Sequence, residues 1–143
     1  MFTGQLALTF AALFAGAAFY INFAEQPARL RLDPNQLLMQ WAPSYKKGFV
    51  MQATLAVLSG IASIATYFLT HDWRWIVGGV FMLANWPFTL FVIMPTNRKL
   101  MAIGEGNADA QTVVRIIYWG KLHAVRTGLG LTAVAIFLWT LCR

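Results

Sequence analysis

The chain of 143 residues is strongly apolar and sparsely charged. Hydrophobic residues make up 59% of it and charged residues 11%, whereas soluble domains carry about 25% charged residues. So few charges cannot cover a water-soluble domain, and the single cysteine, Cys142, excludes an internal disulfide scaffold. The net charge of +6 comes from basic residues spread along the chain, which indicates orientation in a membrane and no nucleic-acid partner.

Four long stretches without charge predict a single membrane domain over residues 1–143. A bilayer core takes ~20 residues of helix, and lipid forces the backbone polar groups to be satisfied within each segment. No Lys or Arg precedes the first stretch, which favours a membrane span over a cleaved signal peptide. We therefore predict an all-α fold, an integral membrane four-helix bundle. Its spans are expected at roughly 3–24, 46–70, 74–96 and 117–141.

A short interfacial helix is predicted between the first and second spans. Asp33 followed by Pro34 is typical of an N-cap and a proline in the first helical turn. Pro43 is expected to end this helix and leave Trp41 at the level of the lipid headgroups. Ser44 is then expected to cap the second span.

The basic residues are distributed unequally between the two ends of the predicted bundle. Eight flank the first and third loops, and two lie at the other end. Cytoplasmic loops are enriched in Lys and Arg, so we predict a bacterial-type inner membrane protein with both termini on the non-cytoplasmic side. The eight are Arg29, Arg31, Lys46, Lys47, Arg98, Lys99, Arg115 and Lys121, and the two are Arg74 and Arg143.

Three functional side chains share one face of the fourth span. Trp119, His123 and Arg126 stand at i, i+4 and i+7. An arginine one turn inside the hydrocarbon is costly unless it meets an anion, a carbonyl group or water. Two interpretations stay open: the side chains extend to the headgroups, or they face inward and line a cavity.

Glu25 is the one acid near the end of the first span. It could pair with Arg126 or Arg29, or accept a hydrogen bond from His123. It could also remain an interfacial carboxylate with no partner.

Other polar and aromatic residues allow two interpretations each. Asn85 and Thr89, four residues apart, are expected to join helices through hydrogen bonds. Asn97 could cap a helix end after a proline or face a site. Trp41 and Tyr45 could form an aromatic belt or wall a flat hydrophobic ligand.

Several motifs resemble the small four-span membrane family whose named members are anthrone oxygenases. The most specific are Pro95-Thr96-Asn97 and a Trp-x-x-x-His-x-x-Arg pattern over residues 119–126, and Pro27 and Arg29 also fit. The resemblance covers nearly the whole chain. It implies oxidation of a tricyclic anthrone to an anthraquinone by dioxygen, with no firmly assigned cofactor.

An oxygenase of this kind needs a base, a cation for the enolate oxygen and an apolar aromatic slot. His123 suits the base because imidazole titrates near neutrality. Arg126 suits the oxyanion, and Glu25 could orient the imidazole. We expect no cofactor and no metal. The predicted catalytic residues are His123, Arg126 and Glu25, and the predicted substrate-binding residues are Trp119, Tyr45, Trp41, Asn97 and Arg29.

Two alternatives compete with this cofactor-independent monooxygenase. One is a metal or haem enzyme using His123 with Glu25 or Asn97, although copper and iron sites generally take two or three histidines. The other is a non-enzymatic integral subunit that binds a quinone, pigment or lipid within a larger membrane assembly. The expected partners are a hydrophobic small molecule, the lipid bilayer, and either a second copy or another membrane protein.

Overall fold

The computed structural model describes residues 2–143 as four long helices joined by short loops, with no strand among those residues. Each helix is long and apolar enough to cross a membrane, so the chain is an integral membrane protein and the predicted all-α fold is confirmed. Position 1 of the predicted domain lies outside the described residues. The four helices are Phe2–Arg29, Pro34–Thr70, Arg74–Met101 and Ala110–Leu141.

The helices form a four-membered ring in chain order. Each packs mainly against its neighbours in sequence, and the fourth closes onto the first. The up-and-down path brings both termini and the loop around His71–Trp73 to one end of the bundle. The loops after Arg29 and after Met101 lie at the other end. We call the two parts of the bundle the terminal half and the loop half.

The second helix differs from the prediction. Asp33 caps it by accepting from the backbone N–H groups of Asn35 and Gln36 at 3.0 and 3.1 Å, as expected. The helix then continues through Pro43 to Thr70, so the prediction of a separate interfacial helix was wrong. Trp41 is fully buried in a cluster shared with the fourth helix, and this packing offsets the hydrogen bond that the proline removes.

Two of the helices contain a π-helical turn. These turns are Ile21–Glu25 in the first helix and Thr89–Ile93 in the third. Each ends two residues before a proline, Pro27 or Pro95. Proline lacks the N–H that the α-helical hydrogen-bond ladder needs, and single π-turns often mark functional sites. Beyond Pro95 the third helix continues to Met101, so that proline does not end it.

Small residues set the packing of the terminal half. A Cβ on Gly4 would lie 2.6 Å from the Trp75 ring, and one on Gly130 would lie 2.8 Å from Phe14. The helices therefore approach closely there, as small-residue interfaces allow in membranes. The fully buried residues include Ala7, Ala11, Phe14, Ala18, Met82, Ala133 and Phe137.

The fourth helix begins at Ala110, seven residues before the predicted span. Asp109 caps it by accepting from the Thr112 backbone N–H at 2.9 Å, and the Thr112 hydroxyl accepts from the Asp109 backbone N–H at 3.1 Å. The hydrogen bond from the Thr112 backbone lowers the pKa of the Asp109 carboxyl. At the opposite end, the hydrogen-bonded Arg74 side chain lowers the pKa of Asp72 in the same way.

Candidate active site

The loop half contains a cleft that both His123 and Arg126 face. Their side chains are 2% and 7% exposed, so they point into the bundle and do not extend to headgroups. The cleft is narrow, with a free volume of about 20 Å³. It is lined by Ile21, Ser44, Tyr45, Gly48, Phe49, Gln52, Trp119, His123 and Arg126.

A continuous series of aromatic rings borders this cleft. Trp119 stacks on His123 with ring centroids 5.0 Å apart, and Trp41 meets Trp119 edge-on at 5.9 Å. Tyr45 stacks on Trp41 at 5.0 Å and contacts Phe49 at 6.1 Å. Trp119 and Tyr45 line the cleft, whereas Trp41 lies behind them. The walls leave room for about a water molecule, so a ring system enters only when a side chain such as the half-buried Phe49 moves.

The hydrogen bonds around His123 fix its tautomer. Asn22 donates through Nδ2 to the Gly120 carbonyl at 2.9 Å, so its Oδ1 is the atom that faces the imidazole. That oxygen lies 2.9 Å from His123 Nδ1 and accepts from the Thr127 hydroxyl at 2.8 Å. An oxygen acceptor requires a proton on Nδ1, so we assign the neutral imidazole with its lone pair on Nε2.

The first helix holds Asn22 in place through a second amide. Gln26 donates through Nε2 to the Ile116 carbonyl at 2.8 Å, one turn from the carbonyl that Asn22 uses. The π-turn at Ile21–Glu25 separates these two side chains and sets their register. Gly120 permits the close approach, since a Cβ there would lie 2.7 Å from Gln26 Nε2.

Sequence reasoning missed the role of Asn22. The available signal was two amide side chains, Asn22 and Gln26, four residues apart at the end of an apolar helix. It also missed Gln52, a buried residue that lines the cleft. Gln52 stands seven residues after Tyr45, on the same helical face.

Glu25 does not reach the imidazole. Its carboxylate pairs with Arg29 Nη2 at 2.6 Å and accepts from Gln40 at 2.9 Å and from the Ser44 hydroxyl. The pairing with Arg29 was one of the predicted alternatives. The predicted contacts of Glu25 with His123 and Arg126 were wrong, because the carboxylate turns toward the second helix.

This ion pair lies behind the cleft and supports one of its walls. Arg29 is buried, and its guanidinium carbon lies 5.6 Å from the centre of the Trp119 ring. Ser44 lies inside the second helix and bonds to Glu25, so the prediction that it caps this helix was also wrong. Glu25 and Arg29 thus connect the first helix to the second and to Trp119.

Arg126 has no acidic partner within the described range. No carboxylate of residues 2–143 lies within 4.0 Å of its guanidinium, and its Nε–H makes no hydrogen bond. The guanidinium carbon stands 5.6 Å from the centre of the Phe14 ring. A buried cation with so little compensation favours an anion or an oxygen acceptor beside it.

Unpaired buried donors collect around the same cleft. They include the indole N–H groups of Trp41 and Trp119, the Nε and Nη1 of Arg29, and Gln52 Nε2. Buried polar groups in proteins are normally paired, and these donors are of the kind that binds oxygen acceptors. Asn97 is buried with both amide atoms unpaired, but it does not line the cleft.

The side chains considered as metal ligands beside His123 are Glu25 and Asn97, and neither lines the cleft that His123 faces. The Glu25 carboxylate pairs with Arg29, and Nδ1 of His123 contacts Asn22. The described part of the chain contains no group of three or more His, Cys, Asp or Glu placed to hold a metal ion.

Comparison with known proteins gives one consistent result. A family model described as anthrone oxygenase matches residues 41–136, about two thirds of the chain. The chain is 28% identical over 123 residues to anthrone oxygenase dmxR16 of Cryptosporiopsis sp. (strain 8999), covering 81% of this chain and 72% of that protein. It is 30% identical over 120 residues to anthrone oxygenase ptaC of Pestalotiopsis fici, covering 74% and 85%.

A third relative extends the match along the chain. An anthrone oxygenase of Claviceps purpurea is 29% identical over 140 residues, covering 88% of this chain and 80% of that protein. No solved structure matches the chain.

Proposed function

Because the chain belongs to the anthrone oxygenase family, we propose that it oxidises a flat, apolar anthrone-like or quinol-like substrate with dioxygen. One observation carries the proposal. A buried Arg126 without an acidic partner faces the same aromatic cleft as His123, whose Nε2 bears a lone pair. A base and an oxyanion-binding cation are the two groups that this chemistry requires.

The proposed reaction begins with proton transfer. His123 Nε2 takes one proton from the CH₂ group of the anthrone, and the negative charge moves to the carbonyl oxygen, where Arg126 stabilises it. The enolate passes one electron to dioxygen, and the resulting radical pair combines to form a C–O bond. The imidazolium returns the proton to give a hydroperoxide, which loses water to leave the quinone carbonyl. Anthrone and dioxygen thus give anthraquinone and water, without a cofactor.

In this proposal, the other predicted residues shape the space in which His123 and Arg126 meet the substrate. Trp119 and Tyr45 border the space where the rings of the substrate would stack. Trp41 packs against both rings, Arg29 lies beside the Trp119 ring, and Glu25 bonds to the second helix. These contacts support a role for the three residues in holding the walls of the cleft in place. We propose Asn97 as a further polar contact that becomes accessible when the wall opens.

The distribution of charge supports an orientation for the cleft. The eight basic residues near the loop half, against Arg74 and Arg143 at the other end, place the loop half toward the cytoplasm in our proposal. Both termini then face the opposite side. A substrate dissolved in the bilayer would reach the cleft through its open mouth.

The direct test measures turnover by the purified protein in detergent micelles. Anthrone is added in air, and both quinone absorbance and oxygen uptake are followed. We expect wild-type protein to accelerate both signals equally, and His123→Ala to lower kcat about 10²- to 10⁴-fold, the usual contribution of a general base. His71→Ala, a change in the opposite loop, serves as the matched control. Equal rates for wild type and His123→Ala would reject the assignment.

A non-enzymatic quinone-binding subunit is the second candidate, because the unpaired donors around the cleft would also bind quinone oxygens. The same preparation distinguishes the two. Saturable binding of anthraquinone without oxygen uptake from anthrone would favour the binding subunit.

A further inference from the structure

A second cleft lies on the other side of Phe49 and Arg126, between the second and third helices. Phe49 and Arg126 line both clefts, and the apolar wall of the second is formed by Ala53, Ala56 and Leu90. Its free volume is about 10 Å³, and a single water already needs about 10–15 Å³ of such space. The second cleft therefore excludes a ring system and suits a molecule of two or three atoms.

Asn85 presents an unpaired acceptor in this second cleft. It is 2% exposed, and its Nδ2 donates to the Met82 and Phe81 carbonyls of its own helix at 3.1 and 3.3 Å. These carbonyls can only accept, so the orientation of the amide is fixed and Oδ1 is left without a partner. The expectation that Asn85 joins two helices was therefore wrong.

Thr89 adds an unpaired hydroxyl to the same wall. It is 5% exposed, lies in the π-turn Thr89–Ile93, and forms no hydrogen bond through its side chain. It does not join helices either, which corrects the second half of that expectation. The Nε–H of Arg126, which also lines this cleft, is unpaired as well. Two buried donors beside so small a space favour an occupant that accepts hydrogen bonds.

We propose that the second cleft is the binding site for dioxygen, an inference that rests on the proposed function. Dioxygen is an apolar diatomic molecule that dissolves readily in the bilayer core, and its size suits the space beside Ala53 and Ala56. After it accepts an electron it becomes superoxide, an anion. The Arg126 guanidinium and the Thr89 hydroxyl are then placed to stabilise the new charge in a region of low dielectric constant.

The position of Arg126 between the two clefts suits the electron transfer. Its guanidinium borders the enolate on one side and dioxygen on the other, so the negative charge moves from enolate to superoxide without leaving the cation. The radical pair combines to form the C–O bond, and the imidazolium of His123 protonates the distal oxygen. His123 then takes the second CH₂ proton as the O–O bond breaks. The departing hydroxide takes up that proton and leaves as water beside Asn85 Oδ1, which accepts its hydrogen bond.

The first test detects dioxygen in the cleft without turnover. Dioxygen is paramagnetic and speeds the relaxation of nearby nuclei, so alanine methyl signals are compared in detergent micelles under oxygen and under nitrogen. The Ala56 methyl is 1% exposed and lines the second cleft, whereas that of Ala133 is 0% exposed and lines neither cleft. We expect the enhancement at Ala56 to be at least fivefold larger. Ala53→Leu should fill the cleft and remove this difference, and Ala65→Leu, a change of a half-buried alanine on the same helix outside both clefts, should preserve it.

The second test measures the dependence of turnover on dioxygen. Oxygen uptake with saturating anthrone is followed at several oxygen concentrations. Thr89→Val should lower kcat/KM for dioxygen at least fivefold and change the KM for anthrone less than twofold. Thr132→Val, a change of an exposed threonine on the fourth helix, should leave both quantities unchanged.

The outcomes separate the dioxygen site from the reaction. Equal enhancement at Ala56 and Ala133, as expected if a single water occupies the cleft, overturns the site whether or not anthrone is oxidised. A loss in Thr89→Val confined to the KM for anthrone overturns it as well. A large enhancement at Ala56 that Ala53→Leu removes, in a protein without oxygen uptake, supports the site and rejects the oxygenase. If Ala53→Leu does not fold, the smaller change Ala53→Val replaces it.

Discussion

The two halves of the bundle treat buried polar groups in opposite ways. In the terminal half, Ser59 donates to the Ala7 carbonyl of the first helix at 2.8 Å, and Ser63 and Thr66 donate to carbonyls of their own helix. In the loop half and at mid-bundle, buried nitrogen and oxygen atoms of ten side chains lack a partner. Those side chains are Gln26, Arg29, Gln40, Trp41, Gln52, Asn85, Thr89, Asn97, Trp119 and Arg126.

This difference between the two halves supports the proposal that substrate binds in the loop half. A bilayer supplies no water to an unpaired polar group, so each such atom is unfavourable unless a partner arrives. The terminal half pairs its polar groups and is built for packing. The loop half keeps donors unpaired around an aromatic cleft, as sites do when stability is given up for function.

After His123→Ala, the largest expected effect comes from Arg126. Arg126→Met should lower kcat for anthrone about 10²- to 10³-fold, because the developing oxyanion loses its cation. It should also leave the Tm unchanged or higher, since a buried charge without an acid is replaced by an apolar side chain of similar length. Oxygen uptake and thermal unfolding in the same detergent measure both quantities.

Ser59→Ala is the counterpart in the terminal half. It removes a satisfied hydrogen bond and should lower the free energy of unfolding by about 1 kcal/mol, with kcat unchanged. A lower Tm for Arg126→Met than for Ser59→Ala would contradict the proposed division of the bundle.

The next effect tests Asn22 as a positioning residue. Asn22→Leu removes the acceptor that holds the proton on His123 Nδ1, so kcat should fall at least about 10-fold while KM changes little. Thr127→Val keeps Asn22 and its contact with His123 but removes the hydrogen bond that the Thr127 hydroxyl donates to Asn22, so it should change kcat far less. A loss confined to KM, or equal losses in both variants, would reject the assigned tautomer.

A packing effect is expected at Gly120. Gly120→Ala places a Cβ against Gln26, which should destabilise the fold by about 1–3 kcal/mol, as overpacking does, and should lower kcat by displacing Asn22. Gly128→Ala on the same helix meets no atom within 4 Å and should leave the Tm unchanged or slightly higher. Similar Tm values for the two variants would contradict this prediction, because they would show that the first and fourth helices move apart easily to admit the Cβ.

The smallest effect lies outside the membrane, at Asp109. Its lowered pKa means that the ionised carboxylate stabilises the folded state above the ordinary Asp pKa, and that this stability is lost as pH falls through the folded value. Asp109→Ala should therefore lower the Tm by a few degrees at pH 7, and this difference should shrink as the pH falls below the ordinary Asp pKa of about 3.9. Asp109→Asn should retain most of the cap. A Tm difference independent of pH would contradict this role.

The sequence predicted the spans well because charge is costly in lipid. Gaps between charged residues located all four helices, and the i, i+4, i+7 spacing placed Trp119, His123 and Arg126 on one face, which is buried in the structure. Both inferences depend only on local periodicity. The capped start of the second helix followed from Asp33 with Pro34.

The contacts within the site could not be predicted for two physical reasons. Asn22 and His123 are 101 residues apart, so their meeting depends on how the first and fourth helices pack. The π-turn then changes which side chains of the first helix face the fourth, and it directs Glu25 toward the second helix. The predicted helix end at Pro43 was wrong for a related reason, because tertiary burial of Trp41 outweighed a local helix-breaking signal.

The π-turn in the first helix also affects how natural variants of this chain are interpreted. A π-turn contains one more residue than the α-helical path requires. Deleting a single residue between positions 21 and 25 would restore a regular α-helix and keep the flanking faces of the helix in register, but it would redirect the side chains within the turn. Asn22 lies within this turn, so the contact between Asn22 and His123 would be lost. A one-residue gap at this turn in a homologue therefore marks a rebuilt or abandoned cleft, even though the length of the hydrophobic segment hardly changes.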